Sequence, residues 1–398
     1  MSLNRRKKYK SSLAKEYTKS VSSHDLKHRT NVKTLDEYQD YFRNFKNAIS
    51  ERDNDNGNLS VFKRNWKSLC RKASNEKELI LGLHKAVKEF INSPSPLKTQ
   101  CFTHLIDTLD KWENARDKVK SYNKSFTEAY CYSLMGRPLR EKTKEDFFTL
   151  YEKNVQTSNE KDTSLFTWIC AIQHLITGDD EYKDNAIEAI KNITHLKENP
   201  HKQQILQACH SFDIDPPFDA NTIQQNDAPS RIEKQLKAKI KSIFPVKPDA
   251  NLTPSFPHRV DIEIDTKDEN TRLLIEIDGL YHNAGRDENE QLRMSGPTLL
   301  RSNNIVNAAQ RDTENVVLLR ITEPTIDHLK SMNNEKFTKA FLEIIEHPII
   351  SNQMAVHISE DNEFFLTSIP DQYEPHRQNF VNQQIAKLLS SAPEPCPQ

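Results

Sequence analysis

The sequence predicts an α+β protein, an all-α helical array followed by a small mixed α/β domain. Three observations lead there. From residue 36 to 212, apolar residues recur at i, i+3, i+4 and i+7, the pattern of amphipathic helices. A stretch rich in Pro, Asp, Asn and Gln, residues 213–229, then reads as a linker. Beyond it, VDIEI (260–264) and RLLIEID (272–278) place acidic residues at strand-like alternation, and Gly279 ends the second run.

The helical part is clearest in EYQDYFRNFKNAI, LSVFKRNWKSLC, ELILGLHKAVKEFI and SLFTWICAIQHLI. Turn chemistry breaks it at Asp55–Asn58, Ser93–Pro96, Gly136–Pro138 and Gly178–Asp180. Cys131, Cys170 and Cys209 are each 39 residues apart, and at that offset Phe148, Leu150 and Tyr151 fall on Ile187, Ala189 and Ile190. A helix-pair repeat of that length fits the spacing, and so does an accidental period in any chain of helices with short loops.

After the linker, Ser230 is placed to cap a helix, RIEKQLKAKIKSIF. Ile232, Leu236, Ile240 and Ile243 form one face, with Arg231, Lys234, Lys237, Lys239 and Lys241 around the rest. Lysine stems packed on a sheet explain that pattern, as does a basic flank to a nucleic-acid groove. The α/β domain spans 230–348: a helix from Pro297 to Gln310, a buried strand from Val316 to Ile321 and a helix from Phe337 to Glu346 follow the acidic strands. Residues 349–398 add a hairpin of QMAVHI and EFFLTSI, a terminal helix and a frayed tail.

The chemistry concentrates on Asp261, Glu276 and Asp278. Residues two apart on a strand share a face, so Glu276 and Asp278 point the same way and Asp261 can join them from the neighbouring strand. Carboxylates so close repel unless a proton or cation relieves them, and a divalent metal on carboxylate oxygens is the usual chemical solution. Solvated acids at strand ends are the plainer reading of the same spacing.

The run IEIDGLYH, followed by SGPTLLRSNNI and VVLLRI, resembles the RAP domain, a short module at the C-terminal side of many RNA-associated proteins. The matching positions are Glu276, Asp278, Gly279 and His282, then Thr298 and Arg301, then Val316 to Ile321. That module is itself similar to very-short-patch-repair and restriction-type nucleases of the PD-(D/E)XK class. The resemblance implies a restriction-endonuclease-like fold over roughly 90 residues, an RNA ligand and helical repeats upstream. It also makes Glu233 a candidate fourth acid. Asp278 stands where the nucleases carry a lysine, and Glu323 and Pro324 stand where a RAP domain often closes on tryptophan.

Three functions follow as expectations. The first is RNA binding in RNA processing or stability, without cutting. The second is a metal-dependent nuclease. In it Asp261, Glu276 and Asp278 hold Mg2+ or Mn2+, and His282 moves a proton. The third is a protein-interaction scaffold, with a protein partner on the helical region. Arg301, Arg320, Lys234, Lys237 and Lys241 are the candidate phosphate contacts.

Composition sets the frame. The formal net charge of −1 hides residues 1–35, where ten Lys or Arg face only Glu16 and Asp25, a net of +8. That arm reads as a solvated tail, a salt-sensitive phosphate contact or an organelle address. No apolar run approaches the ~20 residues of a membrane span. Six dispersed cysteines without a C-x-x-C pair argue against zinc fingers and a disulfide framework. The expected setting is intracellular, in the cytoplasm or an organelle.

Overall fold

In the computed structural model, the described residues are 62–64, 66, 101, 104, 122–154, 160–193, 196–220, 223, 231–244, 246–252, 259–264, 271–278, 283–286, 292–311, 315–346, 351–358, 363–373 and 377–378. The basic arm, the helices expected in EYQDYFRNFKNAI and ELILGLHKAVKEFI, most of LSVFKRNWKSLC, Ser230, Gly279, His282 and the terminal helix and tail from residue 379 lie outside them. The chain divides into two compact units, residues 1–131 with 284–292, and residues 132–283 with 293–398. In the first, Phe62, Trp66 and Cys101 are fully buried, and the Phe62 and His104 rings meet edge-on at 6.3 Å. Among the described residues no helix is long and apolar enough to cross a membrane.

The first half is helix-rich: α1 (Tyr122–Leu134), α2 (Glu141–Asn154), α3 (Glu160–Thr177), α4 (Asp180–Lys191) and α5 (Asn199–Phe212). Gly136 (φ 62°) and Gly178 (φ 74°) supply the left-handed turns after α1 and α3, at the breaks expected from sequence. Asp179 then caps α4 by accepting the Glu181 N–H at 3.0 Å. Start of α5 is capped from outside, because Glu160 Oε1 accepts the N–H groups of Lys197 and Glu198 at 2.7 and 2.8 Å. Side chains 39 or 40 residues apart key successive inner helices together. Gln173 Nε2 donates to Ser133 Oγ at 3.1 Å, Trp168 Nε1 to Gln207 Oε1 at 2.8 Å, and Ser164 Oγ to Gln204 Oε1 at 3.0 Å. Cys131, Cys170 and Cys209 are all buried on α1, α3 and α5, and burial pushes the Cys209 thiol up to about 12.

After α6 (Arg231–Lys241) come β1 (Val246–Asn251), β2 (Arg259–Ile264) and β3 (Thr271–Asp278), an antiparallel run. The short strands β4 (Asn283–Arg286) and β5 (Leu292–Met294) pair as a separate two-stranded sheet. Then α7 (Gly296–Gln310) leads to β6 (Asn315–Thr322), which lies parallel to β3 with Glu276 beside Arg320. Two helices, α8 (Glu323–Ser331) and α9 (Asn334–Glu346), precede β7 (Gln353–Ile358) and β8 (Phe364–Ser368). The late hairpin extends the main sheet, with β7 parallel to β6, giving the mixed order β1-β2-β3-β6-β7-β8.

Alternation along the strands gives this sheet two different faces. Odd-numbered residues of β3 and β6 (Ile275, Ile277, Val317, Leu319, Ile321) pack with Leu236 and Ile240 of α6, Leu329 of α8 and Phe337 and Phe341 of α9. Even-numbered residues face α7, where Leu274, Val316 and Leu318 meet Ile305, Val306, Ala308 and Ala309. On its far side α7 packs on α3 and α5, within one unit. The approach is close: a Cβ on Gly296 would lie 1.9 Å from the carbonyl oxygen of Ser133. Asn304, buried on α7, donates to the carbonyl of Gln207 at 2.9 Å.

Candidate functional site

The polar part of the α7-facing side of the sheet lies where β3 and β6 end. Continuing the β2–β3 register by one pair sets Asp261 opposite Glu276, and the parallel register sets Glu276 beside Arg320. The three acids therefore share one region, as their spacing predicts. Each is met by a base from a different element.

Asp278 and Arg320 form the innermost pair. Arg320 Nη1 lies 2.5 Å from Asp278 Oδ1, with 0% and 1% of the two residues exposed. Its Nε donates to Ser302 Oγ at 2.6 Å, and that hydroxyl donates to the Thr298 carbonyl one turn earlier on α7. Arg320 is thus sealed from any outside phosphate, which corrects its reading as a nucleic-acid contact. A guanidinium within an otherwise apolar strand folds only with such partners, since an unpaired buried charge is strongly disfavoured.

Glu276, 2% exposed, is gripped from α7. Arg301 donates through Nε to Oε2 at 3.0 Å and through Nη2 to Oε1 at 3.2 Å. Such a two-pronged guanidinium–carboxylate pair is strong and directional. The same Nη2 reaches the carbonyl of Arg259 at 3.0 Å, tying α7 to the start of β2. Thr298, the other residue of the motif's helix start, is buried and bonds Ser295 Oγ at 2.8 Å.

Asp261 is at the half-buried edge. Its Oδ2 accepts the Ile277 N–H at 2.8 Å, and its Oδ1 faces Lys237 Nζ at 3.1 Å. Lys237 also meets Glu233 Oε1, one helical turn away on α6, at 2.7 Å. Burial, with Glu276 alongside, pushes the Asp261 carboxyl up to about 7; Lys237 and the Ile277 N–H pull against that rise without cancelling it. Glu233 therefore does join the acids, and it brings Lys237 with it.

Lys234 and Lys241 are exposed on α6. Lys239, from the same helix, turns inward. Its amine donates to the carbonyls of Leu329 and Met332 at the end of α8, at 3.3 and 2.5 Å, and sits 4.7 Å from the centre of the Phe337 ring. His282 lies outside the described residues. The site residues missed in the sequence are Ser302, which orients Arg320, and the carbonyl of Arg259. A charged residue inside VVLLRI was the available signal for a buried acid–base pair.

No protein-family model matches the chain, and no curated protein is similar to it. The site therefore has to be read from its own chemistry. Among the described residues, no group of three or more His, Cys, Asp or Glu is spaced to hold a metal ion. As placed, the oxygens of Asp261 and Glu276 meet nitrogen donors rather than converging on one point.

Proposed function

We propose that the chain binds nucleic acid, with RNA as the expected ligand, and that its α/β layer holds the strand without cutting it. The arrangement that carries this reading is the satisfaction of each motif carboxylate by an internal base while Lys234 and Lys241 of α6 stay exposed beside them. Exposed lysines attract phosphate through counterion release, a contact independent of base sequence. The resemblance of IEIDGLYH, Thr298 and Arg301 to the RAP domain supports RNA over other polyanions, and the +8 arm adds a second basic segment.

The second reading is a metal-dependent nuclease. It is favoured by one observation: Glu233, Lys237, Asp261 and Glu276 come together from α6, β2 and β3, with a lysine supplied from the helix. Labelled single-stranded RNA and DNA, incubated with the full-length protein and Mn2+ or Mg2+, separate the two. The expected result is retention of RNA at full length, weakening with salt. Lys234→Glu/Lys241→Glu should lower affinity and reduce the salt slope by about 0.7 per lost contact on a single strand. Strand cleavage abolished by both Asp261→Ala and Glu276→Ala would establish the nuclease instead. Neither binding nor cleavage would leave the helical array as a protein-interaction scaffold.

A further inference from the structure

We propose that Arg301 and Lys237 occupy, within this chain, the cation position that Asp261 and Glu276 would otherwise offer to a divalent metal, so that the acids serve to position these two bases. The inference rests on the ion-pair geometry and stands whether or not the unit binds RNA.

The oxygen-by-oxygen arrangement carries it. Asp261 Oδ1 faces Lys237 at 3.1 Å and Oδ2 accepts the Ile277 N–H at 2.8 Å. Glu276 Oε1 and Oε2 take the two prongs of Arg301 at 3.2 and 3.0 Å. All four oxygens thus have a nitrogen donor within 3.2 Å. A metal taking Glu276 would have to displace a guanidinium that matches both oxygens at once. The third acid offers no alternative, because Asp278 is sealed against Arg320. The surrounding charges nearly cancel: Glu233, Asp261, Glu276 and Asp278 face Lys237, Arg301 and Arg320. The three bases therefore relieve most, though not all, of the acids' repulsion without a divalent ion. The two bases meet the acids from helices on opposite faces of the sheet, so their placement also joins α6 and α7 to the ends of β2 and β3.

The arrangement predicts that removing a base makes a metal site. Arg301→Leu strips both donors from Glu276 while keeping an apolar stem, and leaves it beside Asp261. Mn2+ serves as the probe, its free signal followed by electron paramagnetic resonance during titration of full-length protein, with thermal unfolding measured in parallel. Wild type should leave the free Mn2+ signal at the level of an Asp261→Asn control and show no Mn2+-dependent rise in Tm. Arg301→Leu should take up one further equivalent, gain Tm with Mn2+, and lose both effects when Glu276→Gln is added.

One equivalent bound by wild type and lost in Asp261→Asn and Glu276→Gln would overturn the proposal. So would a folded Arg301→Leu that takes up none. If Arg301→Leu is unfolded without metal, folding on addition of Mn2+ supports the proposal. Failure to fold with Mn2+, together with no uptake by Lys237→Met, counts against it.

Discussion

The two faces of the six-stranded sheet are closed by different physics. On the side of α6, α8 and α9, Ile275 and Ile277 of β3 and Val317, Leu319 and Ile321 of β6 are all aliphatic and pack on leucine, isoleucine and phenylalanine. Such a layer is held by area removed from water, and a modest change of shape there is absorbed by repacking. On the α7 side the same strands run from Leu274 and Leu318 into Glu276, Asp278 and Arg320. That layer tolerates its charges only because each has a named partner at hydrogen-bonding distance. The odd face is therefore governed by volume and the even face by pairing.

The largest test of this contrast is at Arg320. Arg320→Met keeps the bulk but leaves Asp278 buried without its base, and should cost about 3–5 kcal/mol in denaturant unfolding. Adding Asp278→Leu should recover most of that loss, because an apolar pair has nothing left unpaired. On the opposite face Leu319→Ala should cost about 2–5 kcal/mol, with no partner substitution able to restore it in the same way. If the Arg320→Met/Asp278→Leu protein is no more stable than Arg320→Met, the pairing account of the even face fails.

A smaller effect is expected at Gly296. A methyl there meets the Ser133 carbonyl at 1.9 Å, so Gly296→Ala must push α7 away from α1. The expected cost is about 1–3 kcal/mol, read as a drop in the urea midpoint. Unchanged stability would mean that α7 is not seated as tightly as the other side of the sheet.

The subtlest test is the pH dependence that Asp261 imparts. Its carboxyl is raised from 3.8 to about 7, so between those values the folded chain binds more protons than the unfolded one. Stability from this group is therefore full below about pH 4 and is lost as pH rises through about 7. Asp261→Asn, which can still accept the Ile277 N–H, removes that slope. Its urea midpoint should be flatter than the wild type's across the window and higher above it. A steeper dependence in the variant would assign the slope to another group.

How much of this was legible in the sequence follows the same division. The alternation of VDIEI and RLLIEID placed the acids on one face, and turn residues marked the ends of α1 and α3. The strand VVLLRI and the hairpin of QMAVHI and EFFLTSI were visible as apolar runs. Strand β1 was not, because VKPDAN has Pro248 and little β-branched character. As an edge strand it can accommodate a proline that an inner strand could not. Helix α8 was hidden behind Pro324, which reads as a stop yet is well suited to a helix's first turn. The ion pairs were least legible. Arg301 and Glu276 are 25 residues apart and Arg320 and Asp278 are 42 apart, and only the strand register and the seating of α7 bring them together.

The inward turn of Lys239 gives α6 a built-in reporter. Its amine is spent on the last carbonyls of α8 and the Phe337 ring, while Lys234 and Lys241 on the same helix face water. An acylating reagent should mark the latter two within the first moments and reach Lys239 only when α6 lifts away. The rate at which that one amine is modified is then a clock for the opening of the helix that also carries Glu233 and Lys237.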